Sequence, residues 1–302
     1  MDFFFSSQSA TWGEALVYRW MKSKYDPLTQ WARSAFENIL LTPKNVRSLY
    51  GTSNTFIPHR AAQFDITLLL DMSFSMGDLK ETFCHNPLTN EVEQLESDSG
   101  MSCLFPVLLV MAEALNGLKG INLEILGFSA DCRLISEEVG YGFNKGKASG
   151  GNIVYIIKSF TNKNTGERME RLNSLCSNSL FSAWNYNIGA LKTAASRLKA
   201  YPSGNQKLLI VLSDCMPNSS HIPYQETAVR LTRNTIAELE KIIGVFGIGI
   251  NTDATRQLFT NHAVADGPYA FFIIRAVKRI CSFMKNLKKE VSDETQESKQ
   301  RL

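Results

Sequence analysis

The chain has 302 residues, 44% of them apolar and 20% charged, with a formal net charge of +3. That length is ample for a sizeable core, and the composition is ordinary for a globular protein. So small a charge, with no basic run interleaved with aromatics, argues against a nucleic-acid partner, and no stretch approaches the roughly 20 apolar residues of a membrane helix.

The opening Met1-Asp2-Phe3-Phe4-Phe5 is apolar but lacks the basic flank and cleavage pattern of a secretory signal, so a cytoplasmic location is expected. Apolar residues at helical intervals over 12–21 and 28–41 predict a helical N-terminal extension, residues 1–60. Pro43 and then Gly51-Thr52-Ser53-Asn54 break that pattern, making 43–60 a connector.

From residue 64 short apolar runs alternate with longer amphipathic stretches. The runs are Ile66 to Leu70, Leu123 to Phe128, Leu208 to Leu212, Val245 to Ile250 and Ala270 to Ile274, with a less regular one near Ile153 to Ile157. Runs apolar on both pleat faces suit buried strands of a parallel sheet. Helices are predicted over 105–118, 188–198, 226–243 and 275–287. The rhythm predicts an α/β fold, a doubly wound and mostly parallel sheet occupying residues 61–290. Residues 78–103 and 136–152 are polar insertions, and 291–302 reads as a disordered charged tail.

Six cysteines stand far apart, without a C-x-x-C pair, and are read as reduced thiols. Four histidines show no zinc-binding spacing.

The chemistry concentrates where the first apolar run ends, at Leu70-Asp71-Met72-Ser73-Phe74-Ser75. Ligands of doubly wound sheets sit beyond the carboxyl ends of the strands, so Asp71 falls at the functional edge. Asp71, Ser73 and Ser75, alternating along a turn, present one carboxylate and two hydroxyls, an all-oxygen set for Mg²⁺ or another hard divalent cation. A later strand ends in Ser213-Asp214. Two carboxylates at neighbouring strand ends repel unless a positive charge lies between them, so Asp214 is the expected partner of Asp71.

This D-x-S-x-S arrangement resembles the metal-ion-dependent adhesion site of von Willebrand A domains. The segments Asn122 to Ser129, Asn152 to Tyr155, Asn185 to Leu191 and Gly247 to Ile250 narrow the resemblance. It is to the von Willebrand A region of the cobaltochelatase subunit CobT, with the nitric oxide reductase activation protein a more distant relative. The resemblance spans about residues 64–270 and implies a Rossmann-like von Willebrand A fold. It places Asn185 where the family has a metal-site threonine. It also implies a non-catalytic subunit working with a ring-forming AAA+ ATPase, and with a third chelatase subunit or substrate protein, in ATP-dependent cobalt insertion. The chain departs from the family pattern at Met72 and Phe74, at Cys215 in place of glycine, and at Asn218-Ser219-Ser220 in place of an acidic pair.

No G-x-x-x-x-G-K-[ST] loop is present, so an ATPase has to come from elsewhere. A serine hydrolase is disfavoured: no histidine accompanies Ser73 or Ser75, and no G-x-S-x-G elbow exists. The alternative to the ATPase-linked reading is a stand-alone Mg²⁺-dependent protein-interaction module.

Overall fold

Eight consecutive buried residues, Phe64–Asp71, form the strand around which the sheet is built. The computed structural model describes residues 2–3, 12–40, 63–72, 83–85, 92–94, 100–130, 152–161, 187–213, 215, 225–250, 254–265 and 269–300. In chain order the elements begin with β1 (Asp2–Phe3), α1 (Trp12–Leu40), β2 (Phe64–Asp71), β3 (Phe83–His85), β4 (Val92–Gln94) and α2 (Gly100–Leu115). They continue with β5 (Ile121–Ala130), β6 (Asn152–Lys158), α3 (Asn187–Ala200), β7 (Gln206–Ser213) and α4 (Gln225–Glu240). The last are β8 (Gly244–Ile250), α5 (Ala254–Leu258), β9 (His262–Ala265) and α6 (Tyr269–Gln300).

The main sheet has the order β1-β6-β5-β2-β7-β8-β9. Strands β5, β2, β7, β8 and β9 run parallel, and β6 runs antiparallel to β5. Strands β3 and β4 form a separate antiparallel pair within the first polar insertion. The central strands are apolar on both faces because both faces are covered. Ile66, Leu68 and Leu70 of β2 share one core with α1, α2 and α6, while Leu69 shares the other with α3 and α4. This is the doubly wound, mostly parallel α/β arrangement that the strand-helix rhythm predicts.

Two elements differ from the sequence expectation. Ala270 to Ile274 is not a strand but the first turns of α6. Length alone cannot tell a five-residue apolar run from a buried helix segment. What decides is its continuation: Phe272, Ile273, Ala276, Val277, Ile280, Cys281 and Met284 are buried in one helical stripe, while Phe271 is exposed. The edge strand is instead β9, four residues too short and too rich in alanine to announce itself.

The second difference is the N-terminus, where the two apolar stretches form one helix of 29 residues running through Pro27. Proline removes one backbone hydrogen bond, which is tolerated here because the helix is held from outside. Tyr25, Leu28, Ala32, Phe36, Ile39 and Leu40 lie buried in the same core as α2 and α6. Lys22 pairs with Glu113 of α2 at 3.2 Å, and Arg33 donates to the Asn116 carbonyl at 2.9 Å. At the other end of the chain α6 stays helical to Gln300, because a helix nucleated by its buried half propagates into polar residues one hydrogen bond at a time. Connector 43–60 and loop 136–151 lie outside the described residues.

Candidate metal centre

The pleat of β2 sorts its polar residues to one side. Asp65, Thr67 and Asp71 alternate with the apolar Ile66, Leu68 and Leu70 and so share the face of Leu69, under α3 and α4. All three are fully buried, and Asp71 closes the strand. Its backbone continuation is fixed, since the Met72 amide donates to the Phe128 carbonyl at 2.8 Å. Met72 is itself buried, its side chain lying over Gly127 of β5, where a β-carbon would stand 2.4 Å from the sulfur. The absence of a side chain at 127 is what admits a methionine directly after the aspartate.

Strand β7 pairs with β2 through Leu70↔Leu212, which brings Ser213 alongside Asp71. The Ser213 hydroxyl donates to Asp71 Oδ2 at 2.5 Å. It accepts in turn from the Cys215 amide at 2.9 Å. Cys215 itself sits in the left-handed region at φ 61°. Neighbouring parallel strands therefore deliver Asp71 and the residues flanking position 214 to one edge.

Helix α3 crosses the same face. Near its carboxyl end Arg197 bonds Glu124 at 2.7 Å, and Glu124 also accepts from Thr67 at 3.4 Å. Asn187 lies ten residues toward the other end, about 15 Å along the helix, while Thr67 to Asp71 spans about 13 Å of strand. Asn187 is thus set at the level of Asp71. It is only 6% exposed, and its Oδ1 has no hydrogen-bond partner among the described residues. A buried amide oxygen without a partner costs about 1–3 kcal/mol, and Arg197 Nε and Gln206 Oε1 are likewise buried without a partner among the described residues.

The opposite edge of the sheet is also charged, but closed. Desolvation pushes Asp65 up, yet hydrogen bonds from Lys207, Ser203, Asn122 and Asn205 together hold it below the ordinary carboxylate value. Glu124 is raised by desolvation, against the pull of Arg197, Thr67 and Lys158. Desolvation lowers Lys158 to about 8, against the pull of Glu124. Its ammonium donates to the Leu123 carbonyl at 2.6 Å. The Arg197–Glu124 pair binds α3 to the sheet, although Arg197 Nε is itself buried without a partner among the described residues.

Of the five expected ligands, Asp71 stands where predicted, at the carboxyl end of the central strand. Ser73, Ser75, Asn185 and Asp214 lie outside the described residues. Among the described residues no three His, Cys, Asp or Glu side chains gather into a metal site. The described polar groups toward this edge, the Asp71 carboxylate, the Ser213 hydroxyl and the Asn187 amide oxygen, are hard oxygen donors. Asn187 is the residue the sequence reading missed. It precedes Ala190 and Leu191 by three and four positions, on the buried stripe of α3, and a polar side chain opening such a stripe is a legible signal.

Among known proteins, the family described as the cobalamin biosynthesis protein CobT VWA domain matches residues 105–267. This is just over half of the chain; it covers β5 to β9 and leaves out β2. No curated protein matches the sequence. Among solved structures the chain is similar to the pilus adhesin SpaC of Lactobacillus rhamnosus GG, at 16% identity over 74% of this chain and 30% of that one, with a TM-score of 0.45. It is similar to a D319A mutant of the PilB minor pilin of Streptococcus sanguinis, at 12% identity over 75% and 62%, with a TM-score of 0.45. It is also similar to the manganese-loaded TRAP protein of Plasmodium vivax, at 16% identity over 74% and 73%, with a TM-score of 0.46. The chain thus spans under a third of the adhesin and less than two thirds of the pilin.

Proposed function

The chain belongs to the CobT VWA-domain family, and from that premise we propose that it is a cation-dependent protein-binding subunit partnered with a ring-forming AAA+ ATPase. The observation that carries the reading is Asp71, a fully buried carboxylate at the carboxyl end of the central strand; Asn187, at the amino end of α3, has a buried amide oxygen without a partner among the described residues. The Ser213 hydroxyl donates to one of the Asp71 oxygens, and a divalent cation would add the positive charge that a buried carboxylate favours.

In this reading Asp71, Ser73, Ser75 and Asp214 hold Mg²⁺ or another hard divalent ion, with Asn187 and Asn185 supplying amide oxygen. The ion, when bound, presents an open coordination position to an acidic side chain of the partner. The protein's own part is to orient the ligands: Ser213 holds one oxygen of Asp71, Met72 is anchored over Gly127, and α3 brings Asn187 to the edge. In this reading the chain binds and the ATPase does the work. The intracellular setting, and a third protein acting as substrate or chelatase subunit, belong to the same proposal.

A second reading is a stand-alone Mg²⁺-dependent interaction module. It is favoured by the departures from the family pattern at Met72 and Cys215, both buried beside the site. One experiment separates the two: affinity purification with the full chain as bait, in Mg²⁺ or in chelator, for wild type and Asp71→Ala. The proposal expects an ATPase recovered only by wild type with Mg²⁺. Mg²⁺-dependent recovery of other proteins without an ATPase favours the module, and recovery by Asp71→Ala equal to wild type refutes both. No described helix is long and apolar enough to cross a membrane.

A further inference from the structure

We propose that Thr255 and Cys215 are positioning residues for the Asp71 carboxylate, acting through Ser213 so that cation affinity depends on helix α5; this rests on the cation reading above. The Ser213 hydroxyl has a single proton, and it goes to Asp71 Oδ2. What fixes that hydroxyl is the Cys215 amide; residue 215 is left-handed, and relaxing it to negative φ along the same chain path would turn over the peptide that carries this N–H. Glycine takes that conformation freely, whereas a side chain there costs about 1–2 kcal/mol. Something must hold a cysteine in place.

Two contacts do so. The thiol is buried in one core with Leu258 and Phe259. The hydroxyl of the fully buried Thr255 donates to Sγ at 3.2 Å. A continuous polar path thus runs from Thr255 through Cys215 and Ser213 to Asp71, across three separate segments of chain. Its far end sits on α5, which packs against β8, β9 and α4. The path also makes a specific demand: Thr255 matters because residue 215 is not glycine. With glycine at 215 the turn holds itself, and the threonine hydroxyl loses its purpose.

The test is a double-mutant cycle read by Mn²⁺ titration of the purified full chain, using electron paramagnetic resonance of the free ion. Thr255→Val is expected to weaken Mn²⁺ binding roughly 5- to 10-fold, and Thr255→Ser to stay within about twofold of wild type. Cys215→Gly is expected to bind nearly as wild type, and adding Thr255→Val to it should change affinity by less than about twofold. Equal binding by wild type and Thr255→Val overturns the inference, as does the same loss in both backgrounds. Failure of Thr255→Ser to rescue overturns it too. If Thr255→Val does not fold alone, the cycle is read from Cys215→Ala, which keeps the β-carbon but not the thiol and should weaken binding where Cys215→Gly does not; equal binding by the two overturns it. A wild-type chain that binds no Mn²⁺ overturns the cation reading together with this one, whereas wild-type binding with any of the other failures spares the cation reading.

Discussion

Replacing Lys158 with methionine tests whether the closed edge of the sheet holds a buried amine. Lys158 ends β6, is 3% exposed, and has its proton affinity lowered to about 8 by desolvation, with Glu124 pulling the other way. Between about pH 8 and the ordinary lysine value, the unfolded chain keeps a proton that the folded chain has released. Stability therefore rises with pH across that window and is lost again as pH falls through 8. The full gap corresponds to roughly 3 kcal/mol, and roughly 2 kcal/mol of it falls between about pH 7.5 and 10. The thiol of Cys281 opposes this. Burial pushes it up to about 12, so its contribution is present below the ordinary thiol value and declines as pH rises toward 12. The Lys158→Met variant retains Cys281, so comparing the two proteins cancels that decline. The assay is urea unfolding of both at about pH 7.5 and 10, with wild type expected to gain roughly 2 kcal/mol on the variant. Parallel curves for the two would refute the burial argument.

Phe36 is fully buried between α1 and its neighbours, so Phe36→Ala should cost about 3–5 kcal/mol in chemical denaturation. A loss below about 1 kcal/mol would mean that α1 does not pack on the domain in solution. Asn187→Ala removes an acceptor that has no partner among the described residues, so stability should change by less than about 1 kcal/mol while Mn²⁺ affinity falls roughly tenfold. Titration calorimetry beside thermal unfolding checks it, and unchanged affinity removes Asn187 from the site.

Much of this architecture is legible in the residues. Strands β2, β5, β7 and β8 announce themselves because a strand covered on both faces is apolar over most of its length, and the intervening helices repeat at 3.6. Asp71 is legible for the same reason: it is the first charge after such a run. Ala270 to Ile274 misleads because five apolar residues fit either element until Ala276, Val277 and Ile280 are counted with them. The contribution of α1 is hidden because its face is complementary to α2 and α6, far away in sequence. Asn187 is passed over in favour of Asn185 because a motif gives order along the chain. Only the α3 stripe, starting at Asn187 and continuing through Ala190 and Leu191, gives the angle around the helix.

The placement of β2 at the centre of the sheet carries a consequence for how the protein is made. Its partners are β5 and β7, and β7 begins at residue 206, so the middle of the sheet cannot close until about two thirds of the chain has left the ribosome. Helix α1 waits longer still, because α6, which shares its core, follows β7, β8 and β9 in the chain. Until α6 is made, Tyr25, Leu28, Phe36 and Ile39 have only α2 to pack against, a partly covered apolar face on an unfinished fold. Such long-range closure slows folding and exposes apolar surface meanwhile. The nascent chain is therefore expected to depend on chaperones most at its amino-terminal helix, well away from the residues that bind the cation.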